Sequence, residues 1–201
     1  MARELAHRGF AIVVGYITDQ RAADDTVEEV LAAGGTALTI RADVGDELDV
    51  ERMFTEATEA FGGVDIVVHA TGDGVLGRVE DRDVDRFDAL QHAIVRGTFL
   101  VNRQAARQVR DGGTIVNLPR AVADPSLACD AGAAASTAAV EAMTRVHARE
   151  LRGRHITVNA VEPRLDAPGA PADIALVVAF LVNGDGRSLN GQIIQVDGGT
   201  R

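Results

Sequence analysis

The stretch DELDVERMFTEATEAFGGVDIVVHA, residues 46–70, contains one complete helix-to-strand unit. Asp46 is a residue type that caps helix N-termini, and a helical pattern continues from it to about Ala60. Gly62 and Gly63 end that helix, because glycine readily adopts the backbone conformation of a helix C-terminus. Residues 64–70 are a short apolar run rich in branched side chains, which is typical of a buried parallel strand.

The same alternation of strands and helices extends along the rest of the chain. Further strands are predicted over residues 10–16, 36–44, 113–118, 155–161 and 191–199. Further helices are predicted over residues 20–33, about 83–110, about 131–152 and 171–182. Strands that alternate with helices of this length predict an α/β fold with a doubly wound, mostly parallel, Rossmann-like sheet and helices on both faces. No linker or internal repeat divides it, so we expect a single domain over residues 1–201.

The predicted helix at 131–152 has apolar residues at a spacing of three and four. This spacing predicts that one face of the helix is buried, and that face would consist of Ala135, Ala139, Ala142, Met143 and Val146.

Composition excludes several classes of function. The net charge of −10 argues against binding to a nucleic-acid backbone. The longest apolar run, residues 174–182, is far shorter than the roughly 20 residues of a membrane span, and no signal-peptide core is present, so we expect a cytoplasmic protein. Cys129 is the only cysteine, and the five histidines lack metal-ligand spacing, so no metal site is expected.

One compositional fact restricts the chemistry more sharply. All 20 basic residues are arginine, no lysine is present, and the only tyrosine is Tyr16. Any mechanism that needs a lysine amine or a second tyrosine is therefore excluded.

Several sequence blocks resemble the short-chain dehydrogenase/reductase family, near its 3-oxoacyl-carrier-protein reductase branch. They occur in the order of the family and cover nearly the whole chain. The blocks are RADVGDELDVERMF (41–54), AFGGVDIVVHATG (60–72), RGTFLVNRQAAR (96–107), GGTIVNL (112–118), AAVEAMTRVHARELRGRHITVNAVEP (138–163) and ADIALVVAFLVNGDGRSLNGQIIQVDGG (172–199).

The resemblance implies an N-terminal truncation. The family begins with a strand and the glycine loop T-G-x-x-x-G-x-G, whereas this sequence begins within the following helix, at ARELAHRGF. In the family that first strand is central in the sheet, and its neighbours correspond to the predicted strands at 10–16 and 64–70. Three alternatives stay open: these two strands pair directly, a partner fills the gap, or Met1 is an internal methionine and the true start lies upstream.

The resemblance also implies that the catalytic residues are missing. The family's Asn falls on Ile94, its Ser on Arg120, its Tyr on Ala133 and its Lys on Thr137. The family's thirteen-residue spacing from Ser to Tyr is preserved between Arg120 and Ala133, which supports this alignment. After Pro163-Arg164 the segment that closes over substrate in active relatives is also nearly absent, so no catalytic residue is assigned.

The resemblance leaves a small set of candidate cofactor positions. Asp43 and Val44 match the family's adenine contact, and Ala70 and Gly72 match the strand end that approaches the cofactor. The alternative for Asp43 is a turn cap. NAD and NADP are both possible cofactors, and neither is firmly implied. The motif G-x-G-x-x-G at residues 72–77 lacks a helix opening on its last glycine, so we interpret it as a loop.

Two hypotheses for function follow. The first is a non-catalytic member of the family that acts as a subunit of a homo-oligomer, or of a hetero-oligomer with an active reductase relative. In the family, helices corresponding to 83–110 and 131–152 pack against a neighbouring subunit, and apolar residues such as Phe99, Val101, Ala105 and Ala106 are present here. The alternative is an NAD(P)-dependent reductase of a 3-oxoacyl or small ketone substrate, whose acid would be Arg120, Asp124 or Asp130. A third alternative is a decaying gene whose product folds poorly.

Overall fold

The computed structural model describes residues 1–70, 84–119, 131–163 and 170–196. Its helices are α1 (Ala2–His7), α2 (Gln20–Ala32), α3 (Glu47–Phe61), α4 (Val84–Gln91), α5 (Gly97–Gln108), α6 (Ala131–Glu150) and α7 (Ala170–Val182). Its strands are β1 (Ile12–Tyr16), β2 (Ala37–Arg41), β3 (Val64–Ala70), β4 (Val109–Leu118), β5 (Thr157–Pro163) and β6 (Ile193–Val196). A π-helical turn, His92–Arg96, joins α4 to α5.

The helix α3 begins and ends as its sequence predicts. The Asp46 carboxylate accepts a hydrogen bond from the Asp49 backbone N–H at 3.0 Å, which satisfies a donor that the first helical turn leaves unpaired. Gly62 follows the helix with φ of 78°, a conformation that favours glycine. The chain then enters β3 at Val64.

All strand pairs are parallel, and the sheet is divided into two parts. β1 pairs only with β2, while the second part has the order β3-β4-β5-β6. Among the described residues β1 and β3 are not hydrogen-bonded to each other. Direct pairing of these two strands, one of the alternatives from the sequence, is therefore wrong for this structure.

Helices cover both faces of the sheet, which confirms the doubly wound α/β class. On one face α3, α5 and α6 bury Val50, Phe54, Val101, Ile115 and Val158 in one apolar cluster. On the other face α7 packs its buried residues against β4 and β5, in a cluster that contains Val116, Val161, Val178 and Leu181. The parallel strands β4 and β5 lie between these clusters and are buried from residue 114 to 118 and from 157 to 161.

Two predictions from local pattern are wrong in detail. The helical region predicted to reach residue 110 ends at Gln108, and Val109 already belongs to β4. The face of α6 that buries itself is also not the predicted one. Apart from Val140, its buried residues are small or polar, namely Gly132, Ala133, Ser136, Thr137, Thr144 and Ala148.

The predicted apolar face of α6 is instead largely in contact with solvent. Ala135, Ala142 and Val146 are exposed, and Val146 retains 49% of its accessible surface. Small side chains allow the opposite face to approach the sheet closely, so packing rather than hydropathy decided the orientation of this helix.

Candidate active site

The candidate site lies at the carboxyl edge of the sheet, where the loops that follow β2, β3 and β4 begin. Parallel α/β sheets bind ligands at this edge. Asp43 and Val44 lie in the loop after β2, and Ala70 is the exposed last residue of β3. Gly72 and the glycine motif at 72–77 lie outside the described residues.

Asp43 closes a turn. Its Oδ1 accepts a hydrogen bond from the Gly45 backbone N–H at 2.8 Å, and its own backbone N–H donates to Asp49 Oδ2 at 2.9 Å. Arg96 Nε donates to the Gly45 carbonyl at 2.8 Å, which ties this turn to the π-helical segment. The turn-cap alternative for Asp43 is thus present in the structure, and a role in adenine binding stays a prediction.

Val44 lies where the loop after β2 comes close to the start of α5. A Cβ added to Gly97 would lie 2.9 Å from Val44 Cγ2, which is too close for an unstrained contact. Val44 is half-buried and packs against the apolar cluster that α3, α5 and α6 share. Its side chain is therefore a packing element of the loop, and only its backbone and outer surface remain for a ligand.

The register between β1 and β2 places a cationic side chain at this edge. The sequence alone did not predict it. Arg41 pairs in register with Tyr16, and its Nε donates to the Ile17 carbonyl at 3.1 Å. The guanidinium thus lies beside the end of β1, although it belongs to β2. Arg41 is exposed, and arginine binds phosphate groups well. An arginine in the predicted strand 36–44 is the signal that could have identified it.

These residues fit a dinucleotide in part. Arg41 and Asp43 supply one cationic and one anionic group at the edge where the family holds its cofactor, and Ala70 supplies an exposed strand end. Such a cofactor would supply the hydride, while these residues would contact it and orient it.

By the resemblance, Ile94, Ala133 and Thr137 align with catalytic residues of the family. None of these three side chains is an acid or a base at neutral pH. Ile94 lies in the π-helical turn with only 2% of its surface exposed, packed in a cluster with Leu90 and Val140. Ala133 and Thr137 lie on the buried face of α6. Arg120, Asp124 and Asp130 lie outside the described residues.

The hydroxyl of Ser136, which lies between Ala133 and Thr137 in the sequence, is bonded within the helical packing. Ser136 Oγ accepts a hydrogen bond from Gln91 Nε2 at 2.8 Å and donates to the Gly132 carbonyl at 2.8 Å. The first of these bonds connects α4 to α6, and the second lies within α6. The Ser136 hydroxyl is therefore committed to joining two helices.

A buried polar layer lies near the same edge. His69 is 5% exposed and lies in register with Asn117, whose Nδ2 donates to Thr144 Oγ1 at 3.0 Å. His69 Nε2 has no hydrogen-bond partner among the described residues. Burial lowers the pKa of His69 to about 4, since the charged imidazolium loses its hydration. His69 is thus a packed, neutral side chain at pH 7.

In the part of the chain that the structure describes, we looked for metal-ligand groups and for membrane-spanning helices. Within it, no group of three His, Cys, Asp or Glu residues is arranged to hold a metal ion. None of its helices combines the length and the apolar character that crossing a bilayer requires.

Comparisons with known proteins agree with this geometry. Residues 1–165 match the family model described as enoyl-(acyl carrier protein) reductase. An uncharacterized oxidoreductase of Methylorubrum extorquens is 30% identical, with 100% of this chain and 92% of the relative covered. A versicolorin reductase of Emericella nidulans is 32% identical, with 99% of this chain and 89% of the relative covered.

A solved structure gives the same result in three dimensions. A short-chain dehydrogenase from Burkholderia cenocepacia, in complex with NADP, matches with a TM-score of 0.87 and 33% sequence identity. The match covers 98% of this chain and 90% of the other. Sequence blocks, fold and relatives therefore agree, and the chain belongs to the short-chain dehydrogenase/reductase family.

Proposed function

We propose that this chain is a non-catalytic member of its reductase family and acts as an oligomer subunit, with copies of itself or with an active reductase relative. The observation that carries the proposal is the set of side chains at Ile94, Ala133 and Thr137. We further propose that residues 1–201 form one domain. Its relation to the 3-oxoacyl-carrier-protein reductase branch stays a prediction.

The physical case concerns proton transfer. Reduction of a carbonyl requires an acid that protonates the developing alkoxide as the hydride arrives. Ala133 has no proton to donate, Thr137 has no charge, and Ile94 is buried among apolar side chains. Loss of a positioned acid typically lowers the rate by about 10²- to 10⁴-fold. Arg120 is a poor replacement, because a guanidinium group holds its proton too tightly to donate it at neutral pH.

The outward faces of α5 and α6 support assembly. Phe99 on α5 and Val146 on α6 expose 48% and 49% of their surfaces. Phe99 and Met143 also line a cavity of about 530 Å³, together with Gln91, His92, Val95 and Arg96. Exposed apolar residues that gather on one surface mark a candidate protein-protein interface. We call this surface, defined by Val95, Phe99, Met143 and Val146, the α5/α6 surface.

Phe99→Glu tests the assembly surface. We expect the purified chain to sediment as a dimer or larger species, and this substitution to weaken the association at least tenfold, because it places a charge in an apolar interface. The measurement is sedimentation velocity over a range of concentrations. Leu48→Glu is the matched control, since Leu48 is 74% exposed on α3 and lies outside this surface. A wild-type monomer at all concentrations, with no reductase relative bound, would contradict the proposal.

The alternative function is an NAD(P)-dependent reductase, favoured by the names of the relatives and by the NADP complex of a structural neighbour. Its cofactor contacts would be Asp43, Val44, Ala70 and Gly72, and its acid Arg120, Asp124 or Asp130. Titration with NADH and NADPH, followed by nicotinamide fluorescence and thermal midpoint, separates the two proposals. Saturable binding accompanied by turnover of ketone substrates would establish the reductase. A folded chain with no turnover supports the non-catalytic subunit.

A further inference from the structure

The chain contains five asparagines, and two of them precede a glycine. These two are Asn183, which follows the last residue of α7, and Asn190, which lies before β6. A glycine at the next position leaves the asparagine amide open to attack by the backbone nitrogen, because glycine has no Cβ to obstruct the approach. The other three, Asn102, Asn117 and Asn159, precede larger residues and expose at most 1% of their surfaces.

The structure holds the amide of Asn190 at both of its polar atoms. Asn190 Oδ1 accepts a hydrogen bond from the Val158 N–H at 2.9 Å, and its Nδ2 donates to the Ala148 carbonyl at 3.0 Å. The next backbone nitrogen is also occupied, since the Gly191 N–H donates to the Val158 carbonyl at 2.8 Å. A Cβ added to Gly191 would lie 3.3 Å from Ala148 Cβ, so this glycine is packed against α6. The Gly191 nitrogen therefore reaches the Asn190 amide only if these hydrogen bonds break.

Asn183 has none of these restraints. Its side chain is exposed and makes no hydrogen bond in the described part of the chain. The N–H of the next residue, Gly184, is not paired with any described backbone carbonyl. A Cβ added to Gly184 would have Arg187 Nε as its near neighbour, at 3.9 Å, so the surroundings are open. Because helix ends open at little cost in free energy, local motion is enough to bring the Gly184 nitrogen to the Asn183 amide.

We propose that Asn183 is a site of spontaneous deamidation, at which this chain converts its own amide into an acid. The Gly184 nitrogen attacks the side-chain carbonyl carbon of Asn183 and forms a new C–N bond. The bond from that carbon to the amide nitrogen breaks, and ammonia leaves with the proton of the Gly184 N–H. Water then opens the cyclic imide at either carbonyl, which yields aspartate or isoaspartate at position 183. This modification goes beyond the proposed function and does not depend on it.

The product disturbs a closely packed junction. A carboxylate at position 183 lies at the carboxyl end of α7, where the last carbonyls already carry partial negative charge. In the isoaspartate form the backbone is also longer by one carbon. A Cβ added to Gly186 would lie 2.6 Å from Leu181 Cα, so the turn after α7 has little room for a longer backbone. Leu181 belongs to the apolar cluster that joins α7 to the sheet, and conversion should therefore destabilise the protein.

Incubation of the full chain at mildly alkaline pH, followed by peptide mapping with mass spectrometry, tests the proposal. We expect Asn183 to convert at least tenfold faster than Asn190 in the folded chain, since Asn190 must first break its hydrogen bonds. In urea the two sites should convert at similar rates, because glycine follows both. This unfolded control separates the effect of the structure from that of the dipeptide. Equal rates in the folded chain, faster conversion of Asn190, or no conversion of Asn183 would overturn the proposal.

A variant tests the effect on stability. Asn183→Gln retains an exposed amide, but its longer side chain forms a cyclic imide far more slowly. During the same incubation the thermal midpoint of the unsubstituted chain should fall by roughly 1–4 °C as Asn183 converts, whereas that of Asn183→Gln should not change. An equal fall in the variant would overturn the destabilising effect assigned to conversion of Asn183.

Discussion

At the scale of single residues, burial changes the acid-base chemistry of His69. Its imidazole lies in the buried layer with Asn117 and has no described partner for Nε2. Burial disfavours the charged form and lowers its pKa from 6.5 to about 4. The unfolded chain therefore binds a proton between these two values while the folded chain does not, so stability is lost as the pH falls from 6.5 towards 4.

His69→Leu should remove this dependence. The substitution takes away the titrating group, and we expect the loss of unfolding free energy between pH 7 and pH 4 to shrink by up to about 3 kcal/mol. Urea unfolding at these two pH values measures it. His155→Asn is the control, since His155 is exposed and asparagine tolerates its φ of 56°. An unchanged pH dependence in His69→Leu would show that another group is responsible.

Glu162 gives the opposite pH response. Burial, and then the neighbouring Glu141 carboxyl, raise the pKa of Glu162 above its ordinary value of 4.5. The folded chain therefore holds this proton more tightly than the unfolded chain, and the corresponding stability is lost as the pH rises through the raised pKa.

Glu162→Gln should therefore stabilise the protein at pH 8 more than at pH 4, because glutamine has no charge to bury. Thermal midpoints at both pH values measure this difference. Gln195, whose Nε2 lies 3.5 Å from Glu162 Oε2, still finds an acceptor in the variant. A stabilisation of equal size at both values would point to packing instead of charge.

At the scale of elements, α3 shows how local chemistry defines a helix. Asp46→Ala removes the acceptor for the Asp49 N–H and should cost about 1 kcal/mol. In a chain of this length that corresponds to a fall of roughly 2–4 °C in thermal midpoint. Asp46→Asn retains an acceptor at the same place and should cost much less. Equal losses in the two variants would show that charge, rather than the hydrogen bond, stabilises the helix start.

At the same scale, the placement of some residues of the candidate site was predictable from the sequence, and the placement of others was not. The placement of Ala70 at a strand end and of Ala133 and Thr137 on a helix was predictable from the order of strands and helices. Asp43 and Val44 were expected within the strand 36–44, but β2 ends at Arg41 and the structure places them in the loop that follows. Arg41 was not predictable from periodicity alone, since its closeness to Ile17 depends on the register between β1 and β2. The orientation of α6 was also unpredictable, because its small residues pack closely against a sheet formed by distant segments.

At the scale of the whole molecule, the division of the sheet should appear in its dynamics. A two-stranded sheet such as β1-β2, in which each described strand pairs on one side only, is marginally stable by itself, whereas β4 and β5 each pair on both sides. We expect backbone amides of β1 and β2 to exchange at least tenfold faster than those of β4 and β5 under native conditions. Hydrogen exchange followed by mass spectrometry measures this ratio. Uniform protection across all four strands would show that the two parts of the sheet open as one unit.

The sequence by itself determined the helices, the strands and their order, because caps, helix-ending glycines and apolar runs act over a few residues. The family followed from the resemblance of its sequence blocks. That Ile94, Ala133 and Thr137 stand at the positions of the family's catalytic residues stays a prediction from the resemblance. Only the tertiary structure decided which face of α6 is buried, that β1 and β3 do not pair with each other, and that Arg41 reaches the end of β1. These features depend on contacts between segments far apart in the chain, where close packing and strand register outweigh local preference.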